Sequence, residues 1–317
     1  MCGIAGFFDK SDARGGPAGA TLLRMLTALG CRGPDSAGIA LWGPGDDDDL
    51  LVRVKVGEGG DLEARRREVL RKARQVTRVR TSSAQGSLLR LVVAKASPAE
   101  LASAIETVAP DVEVVSMGQR LEIVKQVGAP AGLDADFAVS TWTGTHGLGH
   151  TRLSTESRVD LSHSQPFWAH GTPDLAVVHN GHICNYHRLR RIYEQEGVRF
   201  YTENDSEIIG LYLARQLALG RTLGEALQDS VRDLDGSFSY LVGTADAFGF
   251  AKDPFSLKPL IVAETGGAVA IANEEVALQA ALGGRYEARE AGAGSTGCWE
   301  LGRQPAARRA PRARRVA

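Results

Sequence analysis

An α+β fold, with sheets packed between helices, is predicted by three features of the chain. Strand-like runs follow one another in series, helices are grouped between them with their own start and stop signals, and a stretch near 57–140 differs in texture from its surroundings. A doubly wound parallel sheet would instead need strand and helix to alternate throughout.

The opening MCGIAGFFD is a run of small and apolar residues, read as a strand that ends at Asp9 and enters a loop around Gly15, Gly16 and Pro17. Leu22, Leu23, Met25, Leu26 and Leu29 place a helix over about 21–29, closed by Gly30. CRGPDSAGIALWG then reads as a polar turn leading into a strand, and the aspartates at 46–49 as a solvated loop. Within 57–140 the pattern predicts a charged helix at 61–75 and strands at 88–93 and 121–127. Ser97-Pro98-Ala99-Glu100 has the capping-box spacing with Pro at the first helical position, so a helix should run to about Val108. This segment is a small α/β insertion without evident chemistry, left through the Gly/Pro tract at 128–132. Strands are expected at 137–142, 147–154 and 175–179. Two helices follow, one capped near Asn204 and ended by Gly220, the other started by Thr222-x-x-Glu225 and running to Leu234. Strands at 237–243, 248–252, 260–263 and 268–272 complete the body.

With 317 residues, 43% hydrophobic and 24% charged, the chain has an ordinary globular composition that excludes fibrous and wholly disordered classes. The formal net charge of -1 gives no strong field for nucleic acid or an anionic membrane. Six arginines and no acid follow Gly302, so an acidic body near -7 carries a short basic tail at 303–317, expected to be disordered. Those arginines lack interleaved aromatics, and a nucleic-acid partner is not expected. No apolar run reaches the roughly 18 residues of a membrane span. Asp9, Lys10 and Asp12 interrupt any signal peptide, so the expected address is cytoplasmic. Cys2, Cys31, Cys184 and Cys298 are far apart with no CxxC pair, which argues against a zinc site or a disulfide framework. His146-x-x-x-His150 would need a helix to join two ligands on one face, and Gly144, Gly147 and Gly149 argue against one; no metal is expected. His179 and His182 read as packing or solvent-facing residues beside an Asn-Gly turn.

Met-Cys at the start is the most informative dipeptide. A small residue at position 2 permits removal of the initiator Met, leaving Cys2 with a free α-amine. A thiol of pKa about 8.5 and an amine of pKa about 7.7–8.0 then share one residue. An N-terminal nucleophile activated by its own amine is one variant of the nucleophile-plus-base arrangement. Taken alone, Met-Cys favours the reading of Cys2 as a small buried strand residue.

MCGIAGFFD followed by RGPDSAG at 32–38 resembles the opening of the class II glutamine amidotransferases, an N-terminal-nucleophile hydrolase family. Further blocks occur in that family's order: GHTRLST at 149–155, VVHNGHICN at 177–185, NDSEIIG at 204–210, DGSFSYLV at 235–242 and KDPFSLKPL at 252–260. The resemblance spans nearly all of 1–300 except the insertion at about 57–140, and the domain it implies is drawn over 1–302. It implies a four-layer αββα sandwich in one amidotransferase domain, and hydrolysis of the side-chain amide of L-glutamine. It also implies site roles: Cys2 as nucleophile, and Asn180 and the Gly181 backbone N–H as oxyanion donors. Arg152 would hold the substrate carboxylate, Asp205 would meet the ammonium, and Thr155 would complete the substrate set. Arg32 would order the N-terminal loop, although a buried structural salt bridge would read identically.

Ser164-Gln165-Pro166-Phe167 together with VVHNGHICN looks most like the amidotransferase part of glutamate synthases, and of stand-alone subunits such as that of N-methylglutamate synthase. That likeness implies synthase partners, an FMN-binding barrel and a Gly-rich β-helix subunit. FMN and iron–sulfur clusters would belong to those partners, with no cofactor in this chain. His182 stands where the family commonly has Glu. A partner-stabilising subunit with weak activity, or a free glutaminase, are the alternatives.

Overall fold

The computed structural model describes residues 2–10, 15–154 and 159–302; the basic tail and Thr155 lie outside them. In chain order the elements are β1 (Gly3–Asp9), α1 (Ala18–Ala28), β2 (Ser36–Trp42), β3 (Asp49–Lys55), α2 (Leu62–Val76), β4 (Val79–Gln85), β5 (Leu88–Ala94), α3 (Pro98–Glu106), β6 (Glu113–Gly118), β7 (Leu121–Val127) and α4 (Ala131–Phe137). They continue as β8 (His146–Arg152), β9 (Phe167–Trp168), β10 (Ala176–Ile183), α5 (Tyr186–Gln195), α6 (Ser206–Ala218), α7 (Leu223–Asp233), β11 (Gly236–Gly243), β12 (Ala247–Lys252), β13 (Ile261–Glu264), β14 (Ala268–Ala272), α8 (Glu275–Leu282), β15 (Ala288–Glu290) and β16 (Thr296–Glu300).

Among the described residues the strands form three sheets, ordered β15-β13-β14-β1-β8-β2-β7, β16-β12-β11-β10-β9 and β4-β5-β3-β6. β1 is central in the first, paired antiparallel with β14 and β8. Alternation along β1 and β10 shows how the sheets are used. Ala5 turns towards Leu22, Leu26 and Leu278 of α1 and α8, whereas Ile4 and Phe8 join Val178, Leu241 and Phe248 between the two larger sheets. On the second sheet Val177 turns away, onto Ile209 and Leu213 of α6 and Leu227 of α7. Strands buried on both faces are made largely of apolar and small residues, as β1 and β2 are. Gly6 sits where a Cβ would come within 2.7–2.9 Å of Phe248 and Leu241, so the sheets approach closely there.

The helix signals are realised as bonds. Asp61 accepts from the Ala64 N–H, Ser97 from Glu100, and Thr222 and Glu225 form both halves of a capping box. Asn204 Oδ1 accepts from the Ser206 N–H at 3.0 Å at the start of α6.

Two expectations need correction. The strand expected at 137–142 is the end of α4 and a 3-10 turn at Val139–Thr141. Asp134 Oδ1 accepts from the Ser140 N–H at 2.7 Å and Ala138 takes φ 50°, so local bonding overrides the strand-like alternation of Phe137, Val139 and Thr141. The segment of different texture is also drawn elsewhere. β3, which precedes residue 57, sits inside the four-stranded sheet, and β7 pairs along its whole length with β2 as an edge of the seven-stranded sheet. No helix among the described residues is long and apolar enough to cross a membrane.

Candidate functional site

Cys2 lies at the mouth of the central strand β1, half-buried. Its backbone carbonyl accepts two side-chain hydrogen bonds, from Arg32 Nε at 3.2 Å and from Asn180 Nδ2 at 3.3 Å. Its Sγ donates a long contact to the Leu153 carbonyl at 3.7 Å. Three distant sequence blocks thus converge on one residue.

Each partner is positioned by its own element. Arg32 ends the 3-10 turn Gly30–Arg32 after α1, and its Nη1 forms an ion pair with Glu274 at the start of α8. The chain then passes so near the Thr151–Arg152 backbone that a Cβ on Gly33 would lie 2.5 Å from it. Asp35 Oδ2 accepts from the Ser154 N–H at 2.7 Å, and the Asp35 N–H donates to the Arg152 carbonyl at 3.0 Å. Arg152, the last residue of β8, is 5% exposed. Burial lowers its guanidinium pKa, and negative charge at Cys2, Asp160 and Asp35 opposes the shift. A buried cation therefore interacts electrostatically with Cys2.

Asn180 and Gly181 come from β10 of the second sheet. Gly181 has φ 139°, and a Cβ there would stand 2.0 Å from the Ser237 carbonyl on β11, so only glycine fits. The preceding residue is held from the side: Gln165 Oε1 accepts from the His179 N–H at 2.6 Å and its Nε2 donates to the His179 carbonyl at 3.1 Å. The buried His179 ring meets Ser206 Oγ at 2.9 Å, and burial lowers its pKa, with Asp205 opposing. Asp205 stands at the N-terminal end of α6, its Oδ2 accepting at 2.7 Å from the N–H of Ile183, two residues along β10 from Gly181. The exposed His182 Nδ1 is 3.4 Å from the same oxygen. Asp205 thus anchors the strand end that carries Asn180, and Thr155 lies outside the described residues.

His146 and His150 face the space between the large sheets on strand β8, where four residues span about 13 Å, too far to share an ion. His146 stacks on Trp42 at 4.6 Å and bonds Thr145 Oγ1 and the Thr244 carbonyl, both at 2.9 Å. Burial pushes both rings down to about 3.

Sequence reasoning did not pick out Glu274, Asn273, Asp35 or Gln165 as positioning residues. Asn273 receives the Ile4 N–H and donates to the Pro259 carbonyl at 3.2 Å, fastening β1 just behind Cys2. The only signal for the first two is an Asn-Glu pair directly after a strand. Asp35 and Gln165 lie inside blocks noticed for their resemblance, not for a bond.

A thiol, a carboxamide donor bonded to the same residue's carbonyl, a buried arginine and a carboxylate bonded to the end of the Asn180 strand suit attack on a carbonyl compound bearing both charges. The chain is similar to several known proteins. Residues 150–280 match the model of the glutamine amidotransferase domain. A glutamine amidotransferase-like protein of Rhizobium meliloti is 37% identical over 282 residues, covering 88% of this chain and 91% of that one. A candidate glutamine amidotransferase of Methanothermobacter thermautotrophicus is 40% identical over 287 residues, covering 88% and 93%. The solved glutamine phosphoribosylpyrophosphate amidotransferase of B. subtilis is similar in fold, with TM-score 0.60 at 20% identity. The match covers 94% of this chain and 47% of that enzyme, so this chain spans about half its length.

Proposed function

Since the chain belongs to the glutamine amidotransferase family, we propose that Cys2, its α-amine freed by removal of Met1, is the nucleophile that hydrolyses the side-chain amide of L-glutamine. The mixed α/β fold resembles the N-terminal-nucleophile amidotransferase domain of the phosphoribosylpyrophosphate enzyme. We extend this to one amidotransferase domain over 1–302, a four-layer αββα sandwich carrying an inserted α/β segment. Helices α1 and α8 on one large sheet and α6 and α7 on the other support that layering.

The observation that carries the mechanism is the double hold on the Cys2 carbonyl by Arg32 and Asn180, which lie 30 and 178 residues away in sequence. The α-amine accepts the thiol proton as Sγ attacks the amide carbon. Asn180 Nδ2 and the Gly181 N–H receive the developing oxyanion. The C–N bond breaks as the amine returns the proton to the departing nitrogen, giving ammonia and a thioester. Water, deprotonated by the same amine, attacks the thioester and releases glutamate. Arg152 binds the substrate carboxylate, Asp205 the ammonium, and Thr155 belongs to the same substrate set. Arg32, tied to Glu274, keeps the nucleophile's backbone in place.

The acceptor chemistry belongs, in this reading, to glutamate synthase-like partners in the cytoplasm: an FMN-binding barrel and a Gly-rich β-helix subunit, holding FMN and any iron–sulfur cluster. The segments at 164–167 and 177–185 support it. Purification from the native source with a C-terminal tag, followed by mass spectrometry, tests the assignment. Co-purification of a flavin-bearing synthase whose glutamine-dependent product is lost with Cys2→Ala is expected. An unaltered product with Cys2→Ala would leave this chain a structural subunit, and glutamine hydrolysis by a chain that purifies alone would make it a free glutaminase.

A further inference from the structure

A cleft of about 630 Å³ separates the four-stranded sheet from the β2–β7 edge of the seven-stranded sheet and from α4. Its size falls within the roughly 300–1,000 Å³ of small-molecule sites. It is separate from Cys2. β2 begins at Ser36, paired with Arg152, and ends at Trp42, whose neighbour Gly43 lines the cleft. Seven strand residues put about 20 Å between the two ends.

The lining is unevenly charged. Arg53, 7% exposed, and Arg90 both bind one carboxylate, Glu122. Arg53 reaches it at 2.8–2.9 Å, and Arg90 forms a two-pronged contact at 2.7 and 2.8 Å. Two guanidinium groups thus share one negative charge. Burial and the neighbouring Arg90 lower the Arg53 pKa, so positive charge is held there at a cost. Arg120 lines the same cleft, and its guanidinium has no hydrogen bond or ion pair among the described residues. The remaining acid on the lining is the exposed Asp136. Beside the cations lies an apolar wall that includes Phe137 and Trp142, with the Arg53 guanidinium 5.6 Å above the Trp142 ring.

We propose that this cleft binds a small organic anion, a carboxylate or phosphate on a flat apolar body, with Arg120 and the outward donors of Arg90 taking the charged group and Phe137 and Trp142 the body. Glu122 keeps Arg53 and Arg90 fixed, so little ordering is left to the ligand. Occupation would bridge the smaller sheet to the sheet that carries β1 and Cys2.

Isothermal titration of the full chain at low ionic strength tests this, with phenyl phosphate, benzoate, inorganic phosphate and benzylammonium as probes. Saturable one-to-one binding of phenyl phosphate, benzoate or both is expected, and the stronger of the two identifies the anionic group. Arg120→Ala should weaken that binding about tenfold or more, the loss of a charge-assisted contact. Arg120→Lys should recover part of it. The Arg120→Ala melting temperature and glutamine turnover should match the parent, since this side chain holds nothing else among the described residues. Absence of saturable binding by either aryl anion would overturn the proposal. So would equal binding by benzylammonium, which would make the cleft merely apolar, or an unchanged affinity in folded Arg120→Ala.

Discussion

Replacing Asn180 by alanine isolates the oxyanion step. The Asn180 side-chain nitrogen carries two N–H groups, and one is committed to the Cys2 carbonyl at 3.3 Å, leaving the other for the oxygen of a tetrahedral intermediate on Sγ. Asn180 is 6% exposed, so this donor works away from bulk water. Loss of one such donor costs about 2.7–4 kcal/mol in the transition state, so kcat for glutamate release should fall roughly 10²–10³-fold. KM should change by less than about threefold, because the ground-state carbonyl gains little from this donor. The lost bond to Cys2 should cost about 1 kcal/mol of stability, a melting shift of roughly 2–4 °C. Asn180→Asp keeps the shape and presents acceptors where a donor is required, so it should be at least as inactive. A coupled assay for glutamate at saturating glutamine measures both variants against the parent. A folded Asn180→Ala protein with kcat within threefold of the parent would refute the assignment.

Asp205→Asn should act on binding: losing the charge that meets the substrate ammonium, about 1.5–3 kcal/mol, should raise KM for glutamine roughly 10- to 150-fold with a smaller change in kcat, read from initial rates. Gly181→Ala forces a Cβ to within 2.0 Å of the Ser237 carbonyl at φ 139° and should cost about 3–5 kcal/mol, or roughly 10 °C in melting temperature. Acid should destabilise the fold through His146 and His150, both pushed down to about 3 by burial. The unfolded chain then binds the extra protons, so stability is full above about pH 6.5 and declines towards pH 3. Together the two rings should remove about 3 kcal/mol between pH 6.5 and 5, and urea titrations should show about half that slope in His150→Gln.

What could be read in the sequence was local or carried by resemblance. Thr222-x-x-Glu225 and Ser97-Pro98 announce helices because the cap bonds close within three residues. The closeness of Asn180 and Arg32 to Cys2 could be expected only from the ordered blocks, since no periodicity links positions 178 residues apart. Pairings between distant singletons stayed hidden. Arg32 meets Glu274 across 242 residues, and Asn273 reaches Ile4 across 269. β4 was invisible for another reason: Val79–Gln85 is almost entirely exposed, so it shows no apolar alternation and is a strand only through pairing with β5. At 137–142 the apolar alternation was present, yet Asp134 bonds to the local backbone and turns the chain.

The central claim is that Cys2, at a free N-terminus, is the nucleophile. Cys298 is no competitor, since burial pushes its thiol up to about 11, whereas Cys31 and Cys184 are exposed and must be distinguished by experiment. The most direct measurement is peptide mass spectrometry after reaction with a diazoketone analogue of glutamine. One equivalent should attach to an N-terminal peptide that begins at Cys2 and lacks Met1, with glutamine protecting against the reaction. Attachment at Cys31 or Cys184, or glutamine turnover by protein that retains Met1, would contradict the account.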